Sequence, residues 1–469
     1  MYPRWLSMPR LLRSGLSSGA DFQDPNLFFR YTTGRWLDNE TEEQQRRYLA
    51  FDIDGLKAAA IAAVDGAKSV LHMTKLPEGS YSKVFSMILD NRQEVIARLP
   101  TPHAGPAHLA TASEVATMEF ARKRLGLPVP RVLSWSSAQT SNVVGAEFII
   151  MEKAPGIEVS KVWPQLSEKH RLRLIDEIIK IEKAALEHPL PRYGSIFFRG
   201  DVGPKTASAA VDETFVIGPS LDRSFWSDER ETMDIDRGPC ERPLLPIFSL
   251  LMLLGSEPTE YLSALCRREQ QWIQLHASSQ ALHPFRHHPP ITREPSAHLA
   301  VLDLFRSVIP NIIPFGSPTL IQPTLWHRDL SGSNIFISDT ELAQGRISIT
   351  SVIDWQNTSV GPLYMQACVP RLFRYHAPWN LPGGLEIAAL PEEIEEMSQD
   401  AQRAARDDVA AKNMVIYYRA VVTRHAPYYY HVLTDSYTTL FAALALGASL
   451  SWGGMLHIVR TISACHRQS

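Results

Sequence analysis

Residues 326–334 of this 469-residue chain read WHRDLSGSN, and a short apolar strand pattern ends in Asp354, twenty residues after Asn334. Asp329 is placed to take a proton from an attacking hydroxyl group. Asn334 and Asp354 offer oxygen atoms of the kind that hold Mg²⁺ on nucleotide phosphates. A His-Arg-Asp motif with an asparagine at this spacing, followed by a strand that ends in aspartate, favours phosphoryl transfer over a surface turn.

The chain before this motif predicts a small antiparallel sheet. Short apolar and β-branched runs alternate with turn residues, which is the pattern of a meander of hairpins. The predicted strands are residues 70–76, 82–89, 95–99, 131–134 and 147–151. A helical period over residues 111–125, closed by Gly126, lies between the third and the fourth of these strands.

The turns of this sheet offer backbone groups to a nucleotide. Gly79, Ser80 and Ser82 follow the first strand, where backbone N–H groups can approach phosphate oxygens. Glu152 and Ala154 follow the fifth strand, and a hinge at that point would meet an adenine edge with backbone groups alone. The Gly79 turn by itself does not distinguish a phosphate-binding turn from a plain hairpin turn.

The third strand offers the cation that such a site needs. Arg98 lies in this strand, and its charge would neutralise the α- and β-phosphates of ATP. A carboxylate on the following helix would orient the guanidinium group. Glu114 is the predicted partner and Glu119 is the alternative.

The sequence becomes largely helical after Gly156. A proline-rich insertion, residues 186–320, holds helical islands such as residues 259–276. Strand patterns then return briefly around the WHRDLSGSN motif, and helices fill the rest. The returning strands are predicted at residues 334–337, 347–349 and 351–353. A small β-rich lobe followed by a large helical lobe predicts a bilobal α+β fold.

Composition and periodicity divide the chain into four parts. They are a targeting segment and lead-in (1–35), a helical lead-in (36–69), a nucleotide-binding N-lobe (70–155) and a helical C-lobe with the catalytic loop and substrate pocket (156–469). The first twenty residues carry Arg4, Arg10 and Arg13, four serines and no acidic residue. This composition is typical of a mitochondrial transit peptide, and without such a peptide a cytoplasmic location is expected.

Charge and cysteine content exclude several classes of protein. The 47 Lys and Arg residues against 50 Asp and Glu residues give a net charge of -3, which argues against a nucleic-acid-binding protein. The four cysteines form no C-x-x-C pair, so we expect reduced thiols and neither disulfides nor a zinc site. No segment identifies a protein partner.

Two apolar stretches and one histidine group are interpreted as structural. Residues 244–254 are too short to span a membrane and contain Pro246. Residues 436–459 carry no Asp, Glu, Lys or Arg, but serine, threonine and glycine interrupt them, so they predict a buried helix. The histidines in residues 283–288 lack an acidic or cysteine neighbour to complete a metal site and predict a loop.

The combined motifs resemble those of the aminoglycoside phosphotransferase and choline kinase family, whose fold is protein-kinase-like. The resemblance covers roughly residues 70–450. It implies that Asp329 is the catalytic base and that Asn334 and Asp354 bind Mg²⁺. It also implies that Arg98 takes the place of the lysine that orients ATP.

More narrowly, the chain is similar to a large fungal group within that family, which includes the mitochondrial "altered inheritance of mitochondria" proteins. The segments that carry this resemblance are 28–36 (FFRYTTGRW), 193–195 (YGS), 217–219 (IGP), 325–329 (LWHRD) and 353–356 (IDWQ). This narrower resemblance implies a mitochondrial location and says little about the substrate.

The chain departs from the pattern of protein kinases at several positions. Arg98 stands where most kinases have lysine, and the planar guanidinium group is not equivalent to an ammonium group. Asp354 is followed by Trp355 and Gln356, not by Phe-Gly, and no Ala-Pro-Glu sequence comes after it. Ser331 occupies the position of the catalytic-loop lysine. These departures favour a small hydroxyl-bearing acceptor over a protein.

Three functional hypotheses follow from the sequence. The first is an ATP- and Mg²⁺-dependent phosphotransferase that acts on a hydroxyl group of a small molecule. The second is a pseudokinase-like mitochondrial binding or regulatory protein, which Arg98 and the single glycine of the first turn motivate. The third, an antibiotic-modifying enzyme, rests on family analogy alone.

Overall fold

The computed structural model describes residues 26–434 apart from several short internal segments. The segments that it leaves undescribed are residues 38, 205, 228, 239–257, 278–294, 315–316 and 376–383. The predictions for the transit peptide, for the two apolar stretches 244–254 and 436–459 and for the histidine group 283–288 therefore lie outside the described residues. Within the described ranges, no helix combines the length and the hydropathy needed to cross a membrane.

The helices and strands of the described residues are numbered in chain order. The helices are α1 (Asn26–Phe29), α2 (Glu40–Arg46), α3 (Ile53–Ala62), α4 (Leu109–Lys123), α5 (Val159–Val162), α6 (Glu168–Leu186), α7 (Pro258–His276), α8 (Pro295–Ile312), α9 (Asp339–Ala343), α10 (Leu363–Gln366), α11 (Gln399–His425) and α12 (Pro427–Thr434). The strands are β1 (Val70–Lys75), β2 (Ser82–Leu89), β3 (Glu94–Pro100), β4 (Val132–Ser136), β5 (Phe148–Glu152), β6 (Ile157–Glu158), β7 (Ser195–Phe198), β8 (Ala209–Ala210), β9 (Phe215–Gly218), β10 (Pro323–Trp326), β11 (Ile335–Ile337), β12 (Ile349–Val352) and β13 (Ser359–Pro362).

The predicted five-stranded antiparallel sheet is confirmed. Its spatial order is β1-β2-β3-β5-β4, and α4 connects β3 to β4. In β3, the alternation of side chains buries Val95, Ala97 and Leu99 in a core that they share with Leu56 of α3. The same alternation directs Arg98 to the opposite face of the sheet, where the candidate site lies.

Helix α4 is buried along almost its whole length and carries Glu114. Val115 and Phe120 pack into the largest hydrophobic core, which also contains side chains of α6, α7 and α8. The helix ends where Gly126 adopts a φ of 65°, a left-handed conformation that glycine adopts without steric cost. A helix held on several sides gives Glu114 a fixed position relative to the sheet.

The predicted insertion contains strands that the sequence analysis missed. Strands β7, β9 and β8 form a three-stranded sheet, and Phe197 and Val216 of this sheet contact Ala112 of α4. The helical island predicted at residues 259–276 is present as α7, whereas the strands β7 to β9 were not predicted. Each of these strands has four residues or fewer, so the alternation of period two is too short to be recognised.

Two further small sheets hold the catalytic segments. Strand β10, which precedes the WHRDLSGSN loop, pairs with β13, while β11 lies between β12 and β6. A single strand β12 replaces the two strands predicted at 347–349 and 351–353. Gly156 immediately precedes β6, and its position requires glycine because a Cβ atom there would lie 2.2 Å from the carbonyl oxygen of Ile337.

A segment near the N-terminal end of the described chain, residues 27–33, is tied to the turn between β1 and β2. Glu78 of this turn pairs with Lys75 at 3.0 Å and with Lys83 at 2.8 Å, and all three side chains are at most 2% exposed. The backbone N–H of Thr32 donates to Glu78 Oε2 over 2.7 Å, and Lys75 donates to the carbonyl oxygen of Arg30 over 2.6 Å. The predicted phosphate-binding turn is thus anchored at Glu78.

We expect Glu78→Gln to lower the free energy of unfolding by about 3–5 kcal/mol, because Lys75 and Lys83 would remain buried without a counter-charge. Urea titration followed by tryptophan fluorescence measures this change. Asp54→Asn is the matched control, because its pair with Lys57 has the same 3.0 Å length but lies at the surface. The control should change stability by no more than about 1 kcal/mol. Equal effects of the two substitutions would contradict the buried cluster.

Candidate active site

The guanidinium group of Arg98 joins four segments of the chain. Its Nε donates to Ser82 Oγ over 3.0 Å, and its Nη2 donates to Asp354 Oδ1 and to Gln356 Oε1, each over 2.7 Å. Its Nη1 lies 2.8 Å from Glu114 Oε1 in an ion pair that is not a well-aligned hydrogen bond. The structure therefore brings together four of the residues predicted for the site and adds Gln356.

The charges around Arg98 compensate one another. Burial by itself would lower the pKa of Arg98, but the carboxylates of Glu114 and Asp354 outweigh this effect and raise it. Burial raises the pKa of Glu114 to about 7, although Arg98 acts in the opposite direction. Glu119, the alternative partner, instead pairs with Arg122 and Lys123 of its own helix. Glu114 is the carboxylate that contacts Arg98.

Asp354 sits in a backbone conformation that its neighbours hold in place. Its φ is 66°, which is uncommon for a residue other than glycine. On one side, the N–H of Ile353 donates to the carbonyl oxygen of Asn334 over 2.9 Å. On the other side, the Trp355 Nε1 group donates to the carbonyl oxygen of Val352 over 3.0 Å. Arg98 outweighs the effect of burial and lowers the pKa of Asp354, so its carboxylate stays charged.

His327 connects the WHRDLSGSN loop to the Asp354 segment. Its Nε2 lies 3.0 Å from the carbonyl oxygen of Ile353, which can only accept, so Nε2 carries the proton. Its ring meets the ring of Trp355 edge to face, with 4.8 Å between centroids. The two catalytic segments are therefore joined by both a hydrogen bond and an aromatic contact.

The two oxygens of the Asp329 carboxylate have different surroundings. The Asn334 side-chain amide donates to Asp329 Oδ2 over 3.2 Å and to the Asp329 carbonyl oxygen over 2.9 Å. Oδ1 lies 3.4 Å from Nη1 of Arg371, whose side chain is 68% exposed. The Asp329 side chain is itself 45% exposed, so Oδ1 remains accessible to a hydroxyl group.

The other residues predicted to contact the nucleotide lie in two separate places, the turn between β1 and β2 and the end of β5. Gly79 and Ser80 lie exposed in the turn that Glu78 anchors, and a Cβ atom on Gly79 would meet no atom within 4 Å. Glu152 is exposed, and its carboxylate contacts Arg131 at 3.0 Å. Ala154 is half-buried after the end of β5. The structure does not bring these residues into contact with the Arg98 cluster.

Asn334 and Asp354 each keep a side-chain oxygen for a metal ion, and a backbone hydrogen bond of 2.9 Å from Ile353 N–H to the Asn334 carbonyl oxygen joins their segments. The Asn334 amide nitrogen faces Asp329, which leaves its oxygen as a donor, and Asp354 uses only Oδ1 for Arg98. Magnesium is commonly held by one or two protein oxygens together with phosphates and water. Asn334 and Asp354 therefore fit Mg²⁺, and no cluster of three or more His, Cys, Asp or Glu residues offers a metal site in the described part of the chain.

Sequence reasoning missed Gln356 and Arg371. Gln356 belongs to the IDWQ segment of the fungal resemblance and departs from the Phe-Gly pattern, but nothing in the local sequence indicates its contact with Arg98. Arg371 belongs to a short 3-10 turn, Arg371–Phe373, that is fixed to the catalytic loop because Leu372 N–H donates to the Leu330 carbonyl oxygen over 3.1 Å. Such contacts between distant segments have no periodic signal in the sequence.

We expect Arg98→Lys to lower the free energy of unfolding by about 1.5–3 kcal/mol, because an ammonium group cannot reach Ser82, Asp354 and Gln356 together. A double-mutant cycle with Gln356→Ala isolates the Arg98–Gln356 contact. Gln356→Ala should lower the free energy of unfolding by at least about 0.5 kcal/mol less in the Arg98→Lys protein than in the native protein. Strictly additive effects in urea titrations would show that the two side chains do not interact in solution.

Known proteins are similar to this chain over most of its length. The sequence profile of the phosphotransferase enzyme family matches residues 72–365. A subtelomeric hrmA-associated cluster protein of Aspergillus fumigatus is 37% identical over 375 residues, which cover 77% of this chain and 72% of that protein. The altered inheritance of mitochondria protein 9 of Yarrowia lipolytica is 25% identical over 401 residues, which cover 78% of this chain and 63% of that protein.

Solved structures add a comparison of the fold. The streptomycin–ATP complex of the aminoglycoside phosphotransferase APH(2'')-IIa covers 90% of this chain and 97% of its own, with 13% identity and a TM-score of 0.41. The family assignment rests on the sequence match, which extends over more than half of the residues. The match includes most of β1, all of β2 to β5, Arg98 with its partners and the WHRDLSGSN loop, and on this basis the chain belongs to the phosphotransferase enzyme family.

Proposed function

We propose that this protein transfers the γ-phosphoryl group of ATP, with Mg²⁺, to a hydroxyl group of a small molecule. The observation that carries the proposal is a pair of contacts, Arg98 with Asp354 at 2.7 Å and Asn334 with Asp329 at 3.2 Å, in two segments that the Ile353–Asn334 backbone hydrogen bond joins. It unites a cation for phosphates, oxygen ligands for Mg²⁺ and an accessible carboxylate. Positioning and electrostatic stabilisation supply most of the catalysis in phosphoryl transfer.

In this mechanism, the residues of the candidate active site have separate tasks. Arg98 neutralises the phosphates, and Glu114 and Ser82 hold its guanidinium group in place. Mg²⁺, when bound by Asn334 and Asp354, offsets the charge of the transferred group. Asn334 also orients the Asp329 carboxylate through its Oδ2 atom. The residues therefore place a base beside the point where the phosphoryl group arrives.

Asp329 accepts the proton of the attacking hydroxyl group at Oδ1. The acceptor oxygen forms a bond to the γ-phosphorus, the bond from that phosphorus to the β–γ bridging oxygen breaks, and ADP leaves with the bond's electron pair. Arg371 contacts the same oxygen of Asp329 and is largely exposed, so it faces the region that the acceptor enters. The WHRDLSGSN loop follows β10, which is paired with β13, so Asp329 is held in place without an activation segment that changes conformation.

A second function, as a nucleotide-binding regulatory protein, has one observation in its favour. All the contacts of Arg98 described above go to groups of the protein itself, in segments far apart in the sequence. A phosphate that contacts Arg98 would have to displace one of these partners, which would weaken the nucleotide binding on which turnover depends. Phosphate transfer to any acceptor separates this alternative from the enzyme.

We expect Mg²⁺-ATP to stabilise the protein. At a nucleotide concentration of about 100 times Kd, the free energy of unfolding should rise by roughly 2.7 kcal/mol. Thermal unfolding with ATP alone, with Mg²⁺ alone and with both measures this change. Asp354→Asn should lose most of the part that depends on Mg²⁺. The absence of a shift at millimolar nucleotide would rule out the kinase proposal.

Asp329→Asn separates binding from catalysis. We expect this variant to keep the thermal shift with Mg²⁺-ATP, because the nucleotide contacts are intact. It should lose phosphate transfer to a metabolite extract by about 10²–10⁴-fold, since the proton of the acceptor then has no base. Transfer from labelled ATP at the wild-type rate would remove Asp329 from its proposed role.

The mitochondrion is the proposed location. The Yarrowia relative is named as a mitochondrial protein, and the first twenty residues of this chain have the composition of a transit peptide. We expect a fluorescent protein fused to residues 1–35 to enter mitochondria. The same fusion with Arg4, Arg10 and Arg13 replaced by glutamine should remain cytosolic. Cytosolic fluorescence of the unmodified fusion would contradict the proposal.

A further inference from the structure

A small cavity adjoins the catalytic loop and is separate from the Arg98 cluster. Its volume is about 20 Å³, which is enough for one water molecule. The walls are buried side chains from α6, from β10 and its following loop, and from the Asp354 segment. Those that the argument uses are Glu182, Leu325, His327, Leu330 and Trp355. All of them have a relative exposure of 8% or less.

Two buried polar atoms in the walls of this cavity have no hydrogen-bond partner among the described residues. They are Oε1 of Glu182 and Nδ1 of His327. Buried polar atoms almost always have a partner, either in the protein or in ordered water, because an unpaired one costs about 1–3 kcal/mol. Since Nε2 of His327 carries the proton, Nδ1 needs a donor.

We propose that one ordered water molecule in this cavity joins Glu182 to His327, which makes Glu182 a positioning residue for the catalytic loop. The water donates to Nδ1 of His327 and accepts from the protonated carboxyl group of Glu182 at Oε1. A water molecule with two or more polar partners in a cavity of this size is a regular component of protein interiors. Both unpaired atoms are thereby satisfied.

The network continues from Glu182 into the helical lobe. Tyr418 of α11 donates to Glu182 Oε2 over 2.7 Å, and its hydroxyl oxygen lies 2.6 Å from that of Tyr429 in α12. Because Tyr418 gives its proton to Glu182, Tyr429 donates to the Tyr418 hydroxyl oxygen, and the carbonyl oxygen of Cys368 lies 3.4 Å from the Tyr429 oxygen. The chain of hydrogen bonds therefore runs from three packed helices, through the water and His327, to Ile353 beside Asp354.

The groups around Glu182 favour its neutral form. Burial raises its pKa to about 8, although the tyrosine hydroxyl groups act in the opposite direction. The ionisable groups near it are Tyr418, Tyr429, Cys368 and His327, and no lysine or arginine contacts its carboxyl group among the described residues. Burial also lowers the pKa of His327, so its ring stays neutral. A neutral carboxyl group can donate to the water, as the proposed network requires.

Nitrogen NMR of protein labelled with ¹⁵N in the histidine rings tests the network directly. In the native protein, the Nδ1 signal of His327, assigned with His327→Gln, should lie where a hydrogen-bonded imine nitrogen is found. Glu182→Leu should move it to the position of a bare imine nitrogen, and Glu182→Gln, which keeps a donor, should largely preserve it. Glu177→Leu, on the same helix but outside the cavity, is the control and should change nothing.

A bare Nδ1 signal in the native protein would overturn the proposal, and this result needs no folded variant. A signal unchanged by Glu182→Leu would overturn it as well. Because the NMR experiment requires neither nucleotide nor acceptor, it is independent of the proposed phosphotransferase activity. If the native protein showed no phosphate transfer, the proposed function would be refuted, but the hydrogen-bond network would not be affected.

The positioning role, which rests on the proposed function, has its own readout. Once an acceptor is available, kcat of Glu182→Leu should fall by up to about a hundredfold because the catalytic loop shifts. KM for ATP should stay near its native value, since Arg98 and Ser82 are unaffected. An equal kcat in Glu182→Leu and Glu177→Leu would show that Glu182 does not position the loop.

The pH dependence of stability gives a second check on Glu182. Its pKa in the folded protein, about 8, is above the ordinary value of 4.5. The stabilisation from the neutral form is therefore complete below about pH 4.5 and is lost as the pH rises through about 8. Glu182→Gln should flatten this part of the stability curve, whereas Glu177→Leu should leave its slope unchanged. An identical slope in Glu182→Gln would contradict the buried neutral carboxyl group.

Discussion

A positive charge held inside the protein is the constraint on which the site depends. The Arg98 side chain is only 14% exposed, and a buried guanidinium group is costly unless carboxylates and other acceptors surround it. Glu114 has to come from α4, Ser82 from β2, and Asp354 and Gln356 from the segment after β12. Each of these elements therefore has a defined position relative to β3, and their packing on one another is what fixes the candidate active site.

The catalytic loop is held by a second set of contacts that is largely uncharged. His327 and Trp355 bind the loop to the Asp354 segment, and the pairing of β11 with β12 brings Asn334 next to Ile353. The positive φ of Asp354 is tolerated because its neighbours are fixed on both sides. These neighbours hold the Asp354 carboxylate where its Oδ1 atom accepts a hydrogen bond from Arg98.

The first hairpin illustrates how structure outside the site supports it. The anchor at Glu78 combines two buried lysines with the backbone of residues 27–33, far from the catalytic loop in the sequence. The FFRYTTGRW segment was recognised as a family feature, but its sequence gave no indication of what it contacts. Its contact with the hairpin explains physically why a lead-in segment belongs to the fold.

The amino-acid sequence by itself determined the sheet of β1 to β5 and the helix α4, and it pointed to Asp329, Asn334, Asp354, Arg98 and Glu114 as candidate site residues. These features are local patterns of period and spacing, and they can be recognised in a short window. The sheet of β7, β8 and β9 was missed because its strands are too short for a period to show. Gln356 and Arg371 were missed because their roles depend on contacts across the chain. Arg98 and Gln356 are separated by 258 positions. Only the tertiary structure decided those contacts and the surroundings of Glu182, because burial and distance between remote segments have no local signature.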